Sequence, residues 1–415
     1  MFFYKFLVGA LYPLVRVYLA LRRKRGKEDA DSVRFGERFG RASAARPRGF
    51  LIWLHGASVG ELNSLRGLVA RIRADYPRAK LLVTSGTVTS SGTAKNLDAI
   101  HQYIPIDVPF AVRRFMKHWH PDLAIRVDSE LWPIQLDAIR RAGIPSFMVN
   151  GAVTAKTFRK WMRHNRGMAK HMAGGFTTVM AKSDKDAMRL ASLGAQNVMV
   201  MDNLKYGNPP PACNPEELAA FRESIGSRPS WHAAVVGEGE SEIIFAAHRA
   251  VLKKIPNALL IITPRHPSMK AELARTAGNL KIGFRSDNAA PGGDVYVADT
   301  MGEMGLFYRC ANAAFMGRSL LPDCRGSSPI EAMQTGNVVT TGPYTSTFDE
   351  VYDEMIAAGI LQRVGDPSEI AAWAVSQLRG GAEFKKLQAD TQKFIAQKSA
   401  VLDTVMDQLR EYVKA

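Results

Sequence analysis

Cysteine is scarce in this chain: three residues in 415, Cys213, Cys310 and Cys324, odd in number and far apart. That usage excludes a disulfide framework and a cysteine-based zinc cluster, and it fits a reducing compartment. Negative charge is short as well. Lys and Arg outnumber Asp and Glu by 55 to 39, a formal net charge of +16, so the expected partner is anionic: nucleic acid, a phospholipid surface or a phosphorylated substrate. The finger spacings, aromatic-and-glycine strand motif and isolated basic helix of nucleic-acid modules are all missing. Walker and dinucleotide glycine fingerprints are missing too, which weakens ATPase and dehydrogenase readings. There is no internal repeat and no low-complexity tract. Nor is there a long apolar run. Lys5, Pro13 and Arg16 interrupt residues 2–21, and the charge-free stretch 6–15 falls well short of the ~20 residues of a membrane span.

What the amino terminus does have is a basic block, Arg22-Arg23-Lys24-Arg25 and Lys27, directly behind its apolar stretch. A secretory signal would carry a small-residue cleavage site there instead. An interfacial anchor over residues 1–27 is expected, with Phe, Leu and Tyr entering lipid and each cation contributing about 1 kcal/mol against anionic head groups. The alternatives are one tilted span with a cytoplasmic body and a helix docked on the globule.

A chain of this length, 46% hydrophobic, is expected to form two domains, each with a full core. Strand candidates at 50–54, 81–83, 123–127, 146–149, 176–180 and 198–201 alternate with helical stretches across 28–207. Asn208-Pro-Pro-Pro-Ala-Cys-Asn-Pro215 cannot continue a helix or strand and reads as a semi-rigid linker, 208–215. Across 216–383 the alternation resumes, with strands at 233–236, 258–263, 295–298, 313–316 and 338–341. A long helix, 384–413, closes the chain within 384–415. The pattern predicts an α/β fold: two similar halves of parallel βαβ units, with a cleft between their strand carboxyl ends.

Candidate chemistry gathers behind those strands. His55-Gly-Ala-Ser-Val-Gly-Glu61 sets small residues and a carboxylate at a strand's carboxyl end, where ligands of open sheets bind. Glu61 can serve there as a general base. Equally, Ser58-Val-Gly-Glu61 fits a capping box, with Glu61 reaching back to the Ser58 N–H. Thr84-Ser-Gly-Thr-Val-Thr-Ser-Ser-Gly92 is a hydroxyl-rich loop, and Asp128-Ser-Glu130-Leu-Trp-Pro133 follows the third strand. Four loops of the second half are expected on one rim. Pro264-Arg265-His266-Pro267 offers a planar guanidinium to a phosphate, or a plain surface ion pair. Asp299-Thr-Met-Gly-Glu303 contains a second capping box from Thr300, and Gly317-Arg-Ser-Leu-Leu could meet a nucleotide. In Ser327-Ser-Pro-Ile-Glu331, Ser328 is the expected N-cap and Pro329 the first helical residue, leaving Glu331 to a capping box or a ribose hydroxyl.

These motifs, in this order, resemble the 3-deoxy-D-manno-octulosonic acid (Kdo) transferase family. The resemblance covers nearly the whole chain after the anchor. It rests on Arg34-Phe-Gly-Glu-Arg-Phe-Gly40, His55 to Glu61, Thr84 to Thr89, Tyr103-Ile-Pro-Ile-Asp107, Ser129-Glu-Leu-Trp-Pro133, Asn203-Leu-Lys205, Pro264 to Pro267, Asp299 to Glu303 and Gly342-Pro343. It implies a GT-B type glycosyltransferase, two Rossmann-like domains facing a cleft, with the closing helix returning to the first. It implies Glu61 as general base in a single inverting transfer from CMP-Kdo to lipid A precursor (lipid IVA), at the cytoplasmic face of the inner membrane. Ser58, Gly60, Thr84, Ser85, Thr87 and Glu130 belong to the acceptor side. Arg265, His266, Gly302, Glu303, Ser319, Ser327, Ser328 and Glu331 belong to the nucleotide side. No metal, no cofactor beyond the CMP-sugar donor and no nucleic acid are expected. The chain departs from the family's pattern in its second half. Val235-Val236-Gly237 stands where Ser-Thr-His is usual, Arg325-Gly-Ser-Ser328 where Gly-Gly-His-Asn is usual, and Arg318 where Gly is usual. A paralogous transferase using another activated sugar or acceptor, and a catalytically silent lipid-binding homologue, are the alternative readings.

Overall fold

Strands Leu51–His55 (β1) and Leu123–Val127 (β4) are buried along their entire length, as strands covered by helices on both faces must be. In the computed structural model, which describes residues 1–128 and 131–414, the chain divides into two compact units. One is Met1–Asn208 with Lys398–Ala415, the other Pro209–Gln397.

The first unit adds Lys80–Ser85 (β2), Ile100–Tyr103 (β3), Ser146–Gly151 (β5), Thr178–Ala181 (β6) and Val198–Val200 (β7) to those two strands. Its sheet runs β3-β2-β1-β4-β5-β6-β7, parallel throughout. Chain order reverses between β1 and β4, which makes their carboxyl ends the topological switch point. Leu51, Trp53, Leu82, Ala124 and Met148 meet Phe115, Trp119, Met172 and Leu190 in one core layer. No strand was expected at β3, whose His101 and Gln102 interrupt the apolar signal.

The single anchor helix expected over 1–27 is two helices, Phe2–Ala10 and Tyr12–Lys24, bent by 52° at the break between them. Pro13 lies in the first turn of the second, where a ring without an N–H is tolerated. Among the described residues no single helix is long and apolar enough to cross a membrane, though the bent pair is by length and composition. Phe3 is 76% exposed and Phe6 70%, and Leu14, Val17 and Tyr18 are exposed too. The inner side is docked: Leu19 is buried, and Tyr12 packs edge-on against Phe110 at 4.4 Å. Two cations expected at the lipid surface are held by protein instead, Arg22 by Glu28 at 2.8 Å and Arg23 by the Ala30 carbonyl. Lys5 reaches Asp137 at 2.6 Å, where Arg141 and His171 also converge, each at 2.9 Å. Burial pushes the Asp137 carboxyl up, but Lys5, His171 and Arg141 together hold it below the usual range.

The second unit holds Ser230–Val236 (β8), Leu259–Pro264 (β9), Ile282–Phe284 (β10), Val295–Val297 (β11), Ala313–Met316 (β12) and Val338–Thr341 (β13). Their order is β10-β11-β9-β8-β12-β13, again parallel, with its reversal between β8 and β12. Alternation along β9 sends Leu260 and Ile262 to one core and Leu259 and Ile261 to the other. That is why its sequence reads as a continuous apolar run. The closing helix is also divided, into Ala382–Ser399 and Val401–Leu409.

Two histidines lie inside this unit. His232 pairs with the Thr263 hydroxyl at 2.7 Å, and His248 accepts from Trp231 at 3.2 Å. Burial drives His232 down to about 3 and His248 down to about 4, from 6.5. As pH falls below 6.5 the unfolded chain takes up protons that the folded unit refuses, so stability is full above that value and drains towards pH 4 and below. Denaturant midpoints of the second unit at pH 7, 5.5 and 4.5 are expected to fall in that order. A flat series would contradict the buried neutral state.

Candidate active site

The turn after β1 is built tightly enough to aim one carboxylate. A Cβ on Gly56 would lie 3.2 Å from Glu61 Cβ, and one on Gly86 would lie 3.0 Å from the Ala57 carbonyl oxygen, so the turns after β1 and β2 pack backbone to backbone. Ser58 caps the helix Val59–Ser64, its Oγ accepting the Glu61 N–H at 3.3 Å. Glu61 Oε2 accepts from the Ala57 N–H at 2.7 Å and Oε1 from the Ser58 hydroxyl at 2.8 Å. The expected reach-back therefore occurs, but to Ala57 N–H and the Ser58 side chain rather than to Ser58 N–H. Glu61 is half-buried, with Ser58 and Gly60 exposed beside it. The arrangement orients a carboxylate at the switch point of the first sheet.

Beneath it, two expected acceptor-side residues belong to the floor. Thr84 is fully buried, its hydroxyl accepting from Trp53 Nε1 at 2.9 Å and meeting His55 Nδ1 at 2.9 Å. Ser85 is also fully buried and meets His101 Nε2 at 2.9 Å. His101 in turn meets Arg34 at 2.7 Å, and Arg34 donates to Glu37 at 2.8 Å. Burial, then the Arg34 charge, lowers His101 to about 4, so it joins that chain as a neutral ring. Arg34 and Glu37 are thus a buttress under β2 and β3. Asp107 does similar work for the helix Pro133–Arg141, accepting from the N–H groups of Ile134 at 3.0 Å and Gln135 at 2.9 Å. Thr87 is exposed and caps the helix Val88–Ala94 in a capping box with Ser90. Glu130 lies outside the described residues. Sequence reasoning did not single out Asn150. With φ +54° it donates through Nδ2 to Asp128 at 2.9 Å, tying the ends of β4 and β5.

In the second unit the organising residue is Glu240, 0% exposed. Its carboxylate accepts four backbone N–H groups: Gly237 at 2.7 Å, Arg318 at 2.7 Å, Ser319 at 2.6 Å and Leu320 at 2.8 Å. One side chain thus ties the β8 and β12 loops together across the switch point. Val235 and Arg318 flank this junction at φ +59° each, a conformation unfavourable for side chains with a Cβ. Ser319, expected at the nucleotide, is buried, donating to the Met316 carbonyl at 2.7 Å and accepting from Gly342 N–H at 2.8 Å. Ser327 is buried and bonded to the Gly317 carbonyl at 3.0 Å. The Ser328 hydroxyl is buried and has no hydrogen-bond partner among the described residues.

Neither expected capping box forms here. Pro329 occupies the cap position of Ile330–Gln334 with φ −82° and ψ −12°. The helix starts one residue late, and Glu331 is left exposed. Glu303 stands just outside the helix Met304–Arg309. Arg285 draws its carboxylate away, with Nε 2.9 Å from both oxygens, and the Thr300 hydroxyl joins them. The hydrogen bonds from Arg285, helped by the Thr300 hydroxyl, hold Glu303 below the usual carboxylate range. Gly302 is exposed with φ +90°. Arg265 and His266 are exposed behind β9, with the Arg265 N–H on the Val236 carbonyl at 2.8 Å. No ion pair engages Arg265 among the described residues. Among those residues, too, no group of three or more His, Cys, Asp or Glu is placed to hold a metal ion.

A family model described as 3-deoxy-D-manno-octulosonic-acid transferase (kdotransferase) matches residues 33–208. Relatives bearing the name 3-deoxy-D-manno-octulosonic acid transferase match along the whole chain. The Rickettsia bellii protein is 29% identical over 99% of both chains, and the Haemophilus influenzae protein 29% identical over 100% of this chain and 99% of its own. Among solved structures, a glycosyltransferase from Rickettsia africae superposes with a TM-score of 0.60 at 13% identity, covering 89% of this chain and all of that one. The UDP-GlcNAc 2-epimerase of Neisseria meningitidis gives 0.60 at 11%, covering 87% of this chain and all of its own. At such identities the likeness is one of fold, the two-domain GT-B architecture.

Proposed function

This chain belongs to the 3-deoxy-D-manno-octulosonic acid transferase family, and from that premise we propose that it moves Kdo from CMP-Kdo to a lipid A precursor with Glu61 as general base. It is a glycosyltransferase of lipopolysaccharide synthesis. The choice of base rests on one observation: Glu61 is a half-buried carboxylate at the switch point of the first sheet, oriented by Ala57 N–H and the Ser58 hydroxyl. In the proposed step the acceptor oxygen forms its bond to the anomeric carbon of Kdo as its proton passes to Glu61. The anomeric carbon–oxygen bond to phosphate breaks, and its electron pair leaves with CMP. One displacement inverts the anomeric centre. The step uses no metal and no cofactor.

Burial sorts the other residues by role. Ser58, Gly60 and Thr87 are exposed and suit acceptor contact, a role Glu130 keeps as an expectation; Thr84 and Ser85 support the floor. On the donor side Arg265 and His266 suit the phosphate, Glu331 a ribose hydroxyl, and Ser328 supplies an unspent hydroxyl. Gly302 leaves backbone accessible, while Ser319, Ser327 and Glu303 spend their side chains shaping the loops. Product mass tests the donor. CMP-Kdo should be productive and UDP-sugars should not. Product from another activated sugar but none from CMP-Kdo would overturn the donor assignment and implicate the altered loops. No product from any donor would favour a silent lipid-binding homologue.

The proposed acceptor is a membrane lipid, and the charge of the first unit suits its surface. Residues 138–183 contain nine Lys and Arg and no Asp or Glu. In the helix Ala155–His164, Phe158, Trp161 and Met162 face the core while Lys156, Arg159, Lys160 and Arg163 are exposed. Asp137 links this region, through His171, to Lys5 of the apolar N-terminal pair. A peripheral position on the anionic cytoplasmic leaflet follows as a proposal, with the exposed apolar residues in lipid and these cations at head groups. The triple variant Lys156→Gln, Lys160→Gln, Arg163→Gln is expected to bind anionic vesicles about a hundredfold more weakly, at about 1 kcal/mol per cation removed. Binding to zwitterionic vesicles in the same flotation assay should be unaltered. Equal losses on both vesicle types, or no loss, would contradict the charge-based contact.

A further inference from the structure

Arg318 carries a long side chain where the backbone favours glycine. At φ +59° it lies in the left-handed region, which side chains with a Cβ rarely enter. It cannot relax without breaking two bonds at once. Its N–H is held by Glu240 at 2.7 Å, and its carbonyl accepts the Gly326 N–H at 2.7 Å. The side chain is half-buried, and its guanidinium makes no hydrogen bond or ion pair with any described residue. Its stem crosses the turn after β8, since a Cβ built on Gly237 would lie 3.4 Å from Arg318 Cγ. That turn is one side of the switch point between β8 and β12, where ligands of open α/β sheets collect. A strained, unpaired and partly desolvated cation adds nothing to stability, and strain of this kind persists where it serves binding. The adjoining loop brings a second unspent donor. Ser327 is bonded to Gly317 and Gly326 to Arg318, so Ser328, with its buried unpartnered hydroxyl, follows directly from the same junction.

We propose that Arg318 is a donor-binding residue whose guanidinium takes an oxyanion of the sugar nucleotide, with the Ser328 hydroxyl as a second donor beside it. The inference rests on the Kdo-transfer reading, whose donor carries two such groups, the nucleotide phosphate and the sugar carboxylate. A planar fork matches either one with two parallel hydrogen bonds.

The test uses full-length Arg318→Gly and Arg318→Lys proteins. It compares KM for CMP-Kdo, KM for acceptor, calorimetric affinity for CMP, and the thermal midpoint. Arg318→Gly should keep or raise the midpoint, because glycine accepts the φ without strain. Its donor KM should rise about tenfold to a hundredfold, the usual scale of one charge-assisted pair, with acceptor KM unchanged. Arg318→Lys should recover only part, since an ammonium lacks the fork. A parallel loss of CMP affinity assigns the guanidinium to the phosphate; unchanged CMP affinity with raised donor KM assigns it to the sugar carboxylate. Unchanged donor KM and CMP affinity, or a lowered midpoint showing a structural role, would overturn the proposal. If the wild type binds no CMP-Kdo at all, the functional reading itself falls and this assignment with it. Wild-type turnover alongside an indifferent Arg318→Gly would sink only the latter.

Discussion

Glu61→Gln is expected to lower kcat for sugar transfer by about a thousandfold, within the 10²–10⁴ that a positioned general base supplies, while the protein stays folded. The amide keeps an oxygen for the Ala57 N–H, so the turn after β1 retains its main tie. What it loses is the capacity to take a proton. The competing role predicts a different pattern. If the carboxylate only caps the helix Val59–Ser64, Glu61→Gln would leave kcat near wild type, and Glu61→Ala would cost about 0.5–2 kcal/mol of stability without affecting chemistry. Ser58→Ala separates the two further. It removes the cap and one donor to Glu61, so it should cost about 1 kcal/mol of stability and only a small part of the rate.

The second large effect belongs to Glu240. Glu240→Ala should destabilise the second unit by about 3–5 kcal/mol, since each buried N–H left without an acceptor costs about 1–3 kcal/mol and partial relaxation recovers some of it. Four N–H groups, those of Gly237, Arg318, Ser319 and Leu320, would lose their acceptor together. Glu240→Gln should be nearly as damaging. Oε1 serves Ser319 and Leu320 while Oε2 serves Gly237 and Arg318, so an amide can satisfy one pair only by turning its NH₂ on the other. Urea unfolding read from second-unit tryptophans such as Trp231 checks this. A change under about 1 kcal/mol would mean that water replaces the carboxylate and that the junction is not built on it.

Much of this fold could be read from the chain because its signals are local. The apolar runs at β4 and β12 coincide with the strands observed, each buried throughout. The polar edge strand β3 and the three-residue, half-buried β10 offered no such run. Thr84 and Ser85 read as loop hydroxyls because the apolar run stops at Val83. The strand continues to Ser85, and with both sheet faces covered each hydroxyl is carried inside. The Thr300–Glu303 and Ser328–Glu331 spacings satisfied a capping pattern, but the first helix begins only after Glu303, and the second begins at Ile330 with Pro329 rather than Ser328 at its cap. Glu61 was visible because its partners are three and four residues away. Glu240 was not, since three of its four partners lie 78 to 80 residues along the chain and are backbone groups that any sequence provides.

The most direct measurement is mass spectrometry of a bis-phosphorylated lipid A precursor after incubation with CMP-Kdo and either wild-type protein or Glu61→Gln. A Kdo increment with wild type, absent under the same conditions with a folded Glu61→Gln protein, is the predicted result. The same increment formed at a comparable rate by both would contradict Glu61 as the base and leave its carboxylate a helix cap.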